Sequence, residues 1–139
     1  MLSQLVYVST RKNNCTSQEI EKILASCEKN NPSLDITGVL LYSDNKFIQL
    51  VEGESKELKG LYDKIREDDR HKNCTMVSYA PIKERSFPNW HMGSKKLGED
   101  TVNFNTQINS AEKKIFENIL AGKEENSERI LQLIGKFFK

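Results

Sequence analysis

Two apolar runs, 36–42 and 47–53, flank the four residues Ser43-Asp44-Asn45-Lys46. Four polar, turn-forming residues between β-rich segments leave the chain little choice but an antiparallel hairpin. The first run, Ile36-Thr37-Gly38-Val39-Leu40-Leu41-Tyr42, reads as a strand that is continuously apolar after Gly38. In the second, alternation puts Phe47, Gln49 and Val51 on one face and Ile48, Leu50 and Glu52 on the other. Gln49 is therefore an amide between two apolar neighbours on a face that something must cover. Leaving its donors and acceptor unpaired there costs roughly 1–3 kcal/mol. Either neighbouring protein groups or a polar ligand must satisfy it.

The rest of the chain supplies the cover. Residues 2–9 alternate as a first strand, with Leu5, Tyr7 and Ser9 against Val6 and Val8. Thr16-Ser17-Gln18-Glu19 has the spacing of a capping box, and Ile20, Ile23, Leu24 and Cys27 follow at helical period. Pro32 predicts that this helix stops near Asn30-Asn31. After Gly53, Ser55 is the expected cap of a second helix whose buried stripe is Leu58, Leu61, Tyr62 and Ile65. A charged exit over 67–73 leads to a fourth strand over 74–82, and Trp90 and Met92 share a face of a fifth. The order βαββαββ predicts a ferredoxin-like α+β sandwich in which the first and third strands are neighbours. Tyr7 and Gln49 could then meet.

Beyond residue 97 the pattern changes. A polar connector precedes two short amphipathic helices, one over 110–121 and one over 127–139, the latter with Ile130, Leu131, Ile134, Phe137 and Phe138. They are too small to fold alone. The expected organisation is therefore a domain over 1–97 and a helical extension over 98–139 within the same globule. The extension would cover the open face of the sheet, contact another subunit, or both.

Composition narrows the function. A net charge of +1 with both signs interspersed argues against a nucleic-acid partner. No apolar run approaches the roughly 18 residues of a membrane span, and no signal-peptide pattern is present, so a cytoplasmic protein is expected. Cys15, Cys27 and Cys74 are odd in number and far apart, which fits neither a disulfide framework nor a zinc site. Glycine-rich phosphate loops, H-E-x-x-H and G-x-S-x-G are all missing, which demotes the common enzyme classes.

Several positions read two ways on residue type alone. Asn30-Asn31 could terminate a helix, or bind the carbonyl and imide edge of a flat heterocycle. Asp68-Asp69-Arg70-His71 reads most simply as a solvated helix exit. Cys27, on the first helix's stripe, is expected to be an inert thiol. Trp90, Met92 and Tyr7 would ordinarily be core residues.

In combination these segments resemble one family. Leu5-Val6-Tyr7-Val8-Ser9, Asn30-Asn31, Ile36 to Tyr42, Phe47 to Gly53, Asp68-Asp69-Arg70-His71 and Phe87-Pro88-Asn89-Trp90-His91-Met92 follow the order and spacing of the BLUF domains, flavin-binding blue-light sensors. The resemblance covers about residues 2–97, and the two C-terminal helices are similar to those of the single-domain members. It implies FAD as cofactor, with FMN or riboflavin possible, and it implies no enzymatic turnover. Tyr7 would be the redox-active tyrosine and Gln49 the amide joining it to the flavin. Asn31, with Asn30 as a weaker companion, would bond a flavin carbonyl, and Ile23 and Ile65 would sandwich the ring. Lys64, Asp68, Arg70 and His71 would lie near the pyrimidine end or the ribityl-phosphate chain. Trp90 and Met92 would exchange place or bonding on illumination. Lys64, Val51 and Cys27 depart from the residues frequent at those positions, and Lys64 and Cys27 bear on flavin tuning.

Two functions of different class follow. The first is a photoreceptor signalling through a homo-oligomer or a separate downstream protein. The second is a ferredoxin-like interaction module with no photocycle. A small flavin enzyme is a weaker third. Colour and a reversible light-induced shift separate them.

Overall fold

The computed structural model describes residues 1–12, 15–68, 71–88, 92–96, 110–121 and 127–135. Strand β1 (Leu2–Arg11) leads to helix α1 (Ser17–Leu34), the hairpin β2 (Thr37–Tyr42) and β3 (Lys46–Glu54), and helix α2 (Ser55–Glu67). Strands β4 (His71–Pro81) and β5 (Gly93–Lys96) follow, then helices α3 (Ser110–Leu120) and α4 (Ser127–Gly135). The sheet order is β4-β1-β3-β2-β5, antiparallel except for the β2–β5 edge pair. This is the expected α+β ferredoxin-like arrangement with one strand added beside β2.

The hairpin forms as its turn residues dictate. Ser43 Oγ accepts from the amides of Asn45 and Lys46, at 3.3 and 3.0 Å, and the Ser43 amide donates to the Lys46 carbonyl. Gly38 is required by the pairing itself. A Cβ there would lie 2.0 Å from the Leu50 carbonyl oxygen, so no other residue lets β2 approach β3 this closely.

Helix α1 starts where the capping box places it, with Thr16 Oγ1 accepting from the Glu19 amide. Its end is different from the expected one. The helix carries Pro32 in its last turn and stops at Asp35, which takes left-handed geometry (φ 54°). There the Asp35 amide bonds Pro32 O and the Ile36 amide bonds Asn31 O. Those terminal bonds and the burial of Asn31 outweigh the steric bias of the residue before a proline. Asn30 and Asn31 are thus in the final turns of the helix, not beyond it.

Ser55 is not the cap of α2. Glu54 holds that position without a side-chain bond, and Ser55 Oγ instead reaches Ser3 Oγ and Met1 O. The hydroxyl ties the helix start to Met1 and to Ser3 at the start of β1, beside the ion pair between the Met1 amino group and Glu54. Strand β4 begins three residues earlier than its apolar content indicates, because Lys72 and His71 pair with Thr10 and Arg11 across a register shift. Met92 precedes β5 and is not part of it.

The sheet buries both faces. Tyr7, Leu40, Phe47 and Val51 pack with Ile20, Leu58 and Tyr62 under α1 and α2. Val6, Val8, Leu41, Ile48 and Leu50 share the opposite cluster with Phe116 and Ile119 of α3 and Ile130, Leu133 and Ile134 of α4. Of the three expected roles for the C-terminal helices, covering the free sheet face is the one the packing displays. Phe137 and Phe138 lie outside the described residues. No helix among the described residues is long and apolar enough to cross a membrane.

Candidate functional site

Strands β1 and β3 pair so that Tyr7 and Gln49 are cross-strand partners. Both side chains are buried under the α1–α2 layer, at 1% and 4% exposure. The Tyr7 hydroxyl donates to Gln49 Oε1 at 2.6 Å, and Gln49 Nε2 donates to Met92 Sδ at 3.3 Å. A thioether only accepts and a phenol does both, so this pairing fixes which way the amide points.

Above the pair a cleft of about 270 Å³ opens between α1 and α2. Helix α1 lines it with Ile23, Ser26 and Cys27, at i, i+3 and i+4. Helix α2 contributes Leu61, Lys64 and Ile65 at the same spacing, and Asp68 follows one turn later at the helix cap. Two helix faces thus make apolar walls, the Tyr7–Gln49 pair makes a polar floor, and Lys64 places a cation at the exposed side. That shape and donor set suit a flat heterocycle with hydrogen-bonding groups along one edge.

Burial is the main reason the Tyr7 phenol is pushed well above the usual tyrosine range; Cys74, Cys27, Asp68 and Tyr62 add to the effect. Tyr7 is therefore a neutral donor throughout the ordinary pH range. Tyr62 stands beside it, ring centroids 5.8 Å apart and planes tilted by 52°. The Arg66 guanidinium lies 5.7 Å above the Tyr62 ring. Burial raises the Tyr62 phenol as well, with Cys74 adding and Arg66 opposing.

Among the residues singled out from sequence, Tyr7, Ile23, Gln49, Lys64, Ile65 and Asp68 converge on this cleft. Met92 joins it through Gln49. Asn31 is buried and Asn30 exposed in the last turns of α1, and neither lines the cleft. Arg70 and Trp90 lie outside the described residues, as does the side chain of His71, whose backbone begins β4. Cys27 is not an enclosed core thiol; it is partly exposed and lines the cleft. Ser26 and Leu61 escaped the sequence reading as site residues. Counting three onward from Ile23, and four back from Ile65, would have found both.

Comparison with known proteins places this geometry. A family model described as sensors of blue-light using FAD matches residues 2–93. A photoactivated adenylate cyclase subunit beta from Euglena longa is 37% identical over 87 residues, covering 63% of this chain. The chain spans only about a tenth of that relative's length. Among solved structures, the photo-activated state of BlsA superposes with a TM-score of 0.75 at 27% identity, covering 100% of this chain and 96% of that one. The dark state of BlrB, a BLUF protein, gives 0.74 at 26% identity, covering 96% and 94%.

Proposed function

The chain belongs to the BLUF family of sensors of blue light that use FAD, and from that premise we propose a reversible photoreceptor whose switch is the Tyr7–Gln49–Met92 chain of hydrogen bonds. The single observation that carries this reading is the 2.6 Å bond from the Tyr7 hydroxyl to Gln49 Oε1 at the floor of the cleft. The cleft residues fit a flavin. Ile23 and Ile65 offer apolar faces to a planar ring, Gln49 offers an amide to its edge, and Lys64 suits a phosphate. FAD is the flavin we assign, with FMN and riboflavin as lesser candidates. Asn31, Asn30, Asp68, Arg70 and His71 are assigned to the flavin's polar periphery.

When bound, the flavin supplies absorption of blue light and an oxidising excited state. The remaining steps belong to this chain. Tyr7, kept neutral by burial, holds its proton against Gln49 Oε1. A half-turn of the amide, or its tautomerisation, changes what Gln49 presents to both neighbours. After a half-turn the Tyr7 hydroxyl accepts from the amide nitrogen and keeps a bond. The Met92 sulfur cannot donate and loses its bond. The two orientations are therefore unequal, and the system returns to the first in the dark. Trp90, two residues from Met92, is assigned to the same rearrangement.

We assign the output to a noncovalent contact, with a homo-oligomer or a separate signalling protein, made through the C-terminal helices. No turnover is assigned to these 139 residues. Purified protein that carries flavin and shows a reversible red shift of its bands in blue light supports the reading. A colourless protein that rejects added flavin fits the interaction module instead.

A further inference from the structure

The Tyr7 phenol has a second phenol against it. Tyr62 of α2 is 7% exposed, and the two ring centroids are 5.8 Å apart with planes tilted by 52°. Rings that close exchange an electron readily, so chemistry begun on one is open to the other. Their surroundings differ in charge. Arg66 stands four residues after Tyr62, the spacing that stacks side chains along a helix face, and its guanidinium lies 5.7 Å from the Tyr62 centroid. A cation there is attracted to the intact ring and opposes the loss of an electron from it. Arg66 acts on the Tyr62 phenol more strongly than Asp63 does, whereas at Tyr7 the acting carboxylate is that of Asp68, which favours positive charge. Positive charge is thus easier to place on Tyr7 than on Tyr62. Arg66 is exposed, so solvent screens it and its influence is a bias, not a block.

We propose that Arg66 is a positioning residue for the light reaction: by standing over Tyr62, its guanidinium keeps the electron vacancy on Tyr7, whose proton Gln49 is placed to receive. The inference rests on the photoreceptor reading above. In the productive step Tyr7 gives one electron to the light-excited flavin and its phenol proton to Gln49 Oε1, 2.6 Å away. Return of the electron from the flavin closes the cycle with the amide rearranged. In the competing step Tyr62 refills Tyr7 and sheds its own proton to water, and Tyr7 recovers its proton from Gln49. The vacancy then rests on Tyr62, and the amide keeps its first orientation. Arg66 disfavours that second route.

The test compares flavin-loaded wild type, Arg66→Gln, Tyr62→Phe and the double variant under blue light. In Arg66→Gln the tyrosyl radical trapped by freezing under illumination, read by electron paramagnetic resonance, should rise roughly threefold or more. The yield of red-shifted flavin per absorbed photon should fall at the same time. Adding Tyr62→Phe should remove the extra radical and restore the yield, a rescue that a purely structural role for Arg66 would not give. A flavin-free readout is the titration of the Tyr62 phenol in apoprotein carrying isotope-labelled tyrosine. Without Arg66 it should titrate at higher pH, because the guanidinium opposes its rise. An unchanged titration, a wild-type yield and radical signal in Arg66→Gln, or a lost yield that Tyr62→Phe fails to restore each overturns the proposal. A wild type with no flavin shift overturns the photoreceptor reading and this proposal together, and is recognised as such before any variant is made.

Discussion

Tyr7 and Gln49 face each other across β1 and β3, and the buried phenol of one donates to the amide oxygen of the other at 2.6 Å. The pairing joins two strand residues into one buried hydrogen-bonded unit. Met92 is the third member and the asymmetric one, because its sulfur only accepts.

Replacing Met92 by Leu keeps the volume at little stability cost, below about 1.5 kcal/mol. It removes the acceptor that favours the dark orientation of the amide, a bond worth about 0.5–1.5 kcal/mol. Dark recovery after a light pulse should slow, by up to about tenfold if the bond is fully formed at the barrier. Recovery followed by visible absorption measures this, and an unchanged rate together with an unchanged light-minus-dark spectrum at photoequilibrium would mean that Met92 does not select the orientation.

Asn31→Ala separates flavin contact from helix ending. The helix terminates through Asn31's carbonyl, which alanine retains. If its side chain holds a flavin carbonyl, affinity should fall by about 1–3 kcal/mol. Equilibrium titration of apoprotein with flavin measures this, and an unchanged affinity removes Asn31 from the site.

The hairpin, the two βα units and the neighbouring of β1 and β3 were legible in the sequence because alternation and turn chemistry are local signals. Helix α1 ran past its expected end because Pro32 occupies the last turn and Asp35 supplies a left-handed stop, a tertiary outcome that residue type underdetermines. Ser55 failed as a cap because its hydroxyl is used by β1, which only the folded chain brings near. The cleft was legible through Tyr7, Gln49, Ile23 and Ile65, while Ser26 was not, since a small polar side chain gives no periodic apolar signal. The bonds from the Ser86 and Phe87 amides to the Glu52 carboxylate were invisible because these backbone partners are more than thirty residues away.

Alkaline pH should weaken the fold through Tyr7. Its phenol is raised in the folded state, chiefly by burial, whereas in the unfolded chain it titrates near the usual value of about 10. Below that value both states hold the proton and the contribution is intact. Above it the unfolded state ionises first, so stability declines by up to about 1.4 kcal/mol per pH unit until the folded phenol also titrates. Denaturant unfolding of apoprotein from neutral to strongly alkaline pH should show a shallower decline in Tyr7→Phe. Equal slopes in the two proteins would remove Tyr7 as the source.

The C-terminal helices are part of the core. Ile130 of α4 is fully buried in the cluster beneath the sheet. Ile130→Ala should cost about 2–5 kcal/mol. A chain cut at Gly122 loses Ile130, Leu133 and Ile134 together and should be far less stable than wild type. Thermal unfolding checks both, and a truncated chain as stable as wild type would contradict the packing.

The central claim is that the Gln49 amide is the moving part. Gln49→Leu removes its donors and acceptor while keeping an apolar side chain of similar size, and the cleft walls Ile23 and Ile65 are untouched. The decisive measurement is the light-minus-dark absorption spectrum of flavin-loaded wild type and Gln49→Leu, with Tyr7→Phe beside them. Wild type should give a reversible red shift of the flavin bands, and both variants should bind flavin and give none. A full, reversible shift in Gln49→Leu would contradict the account.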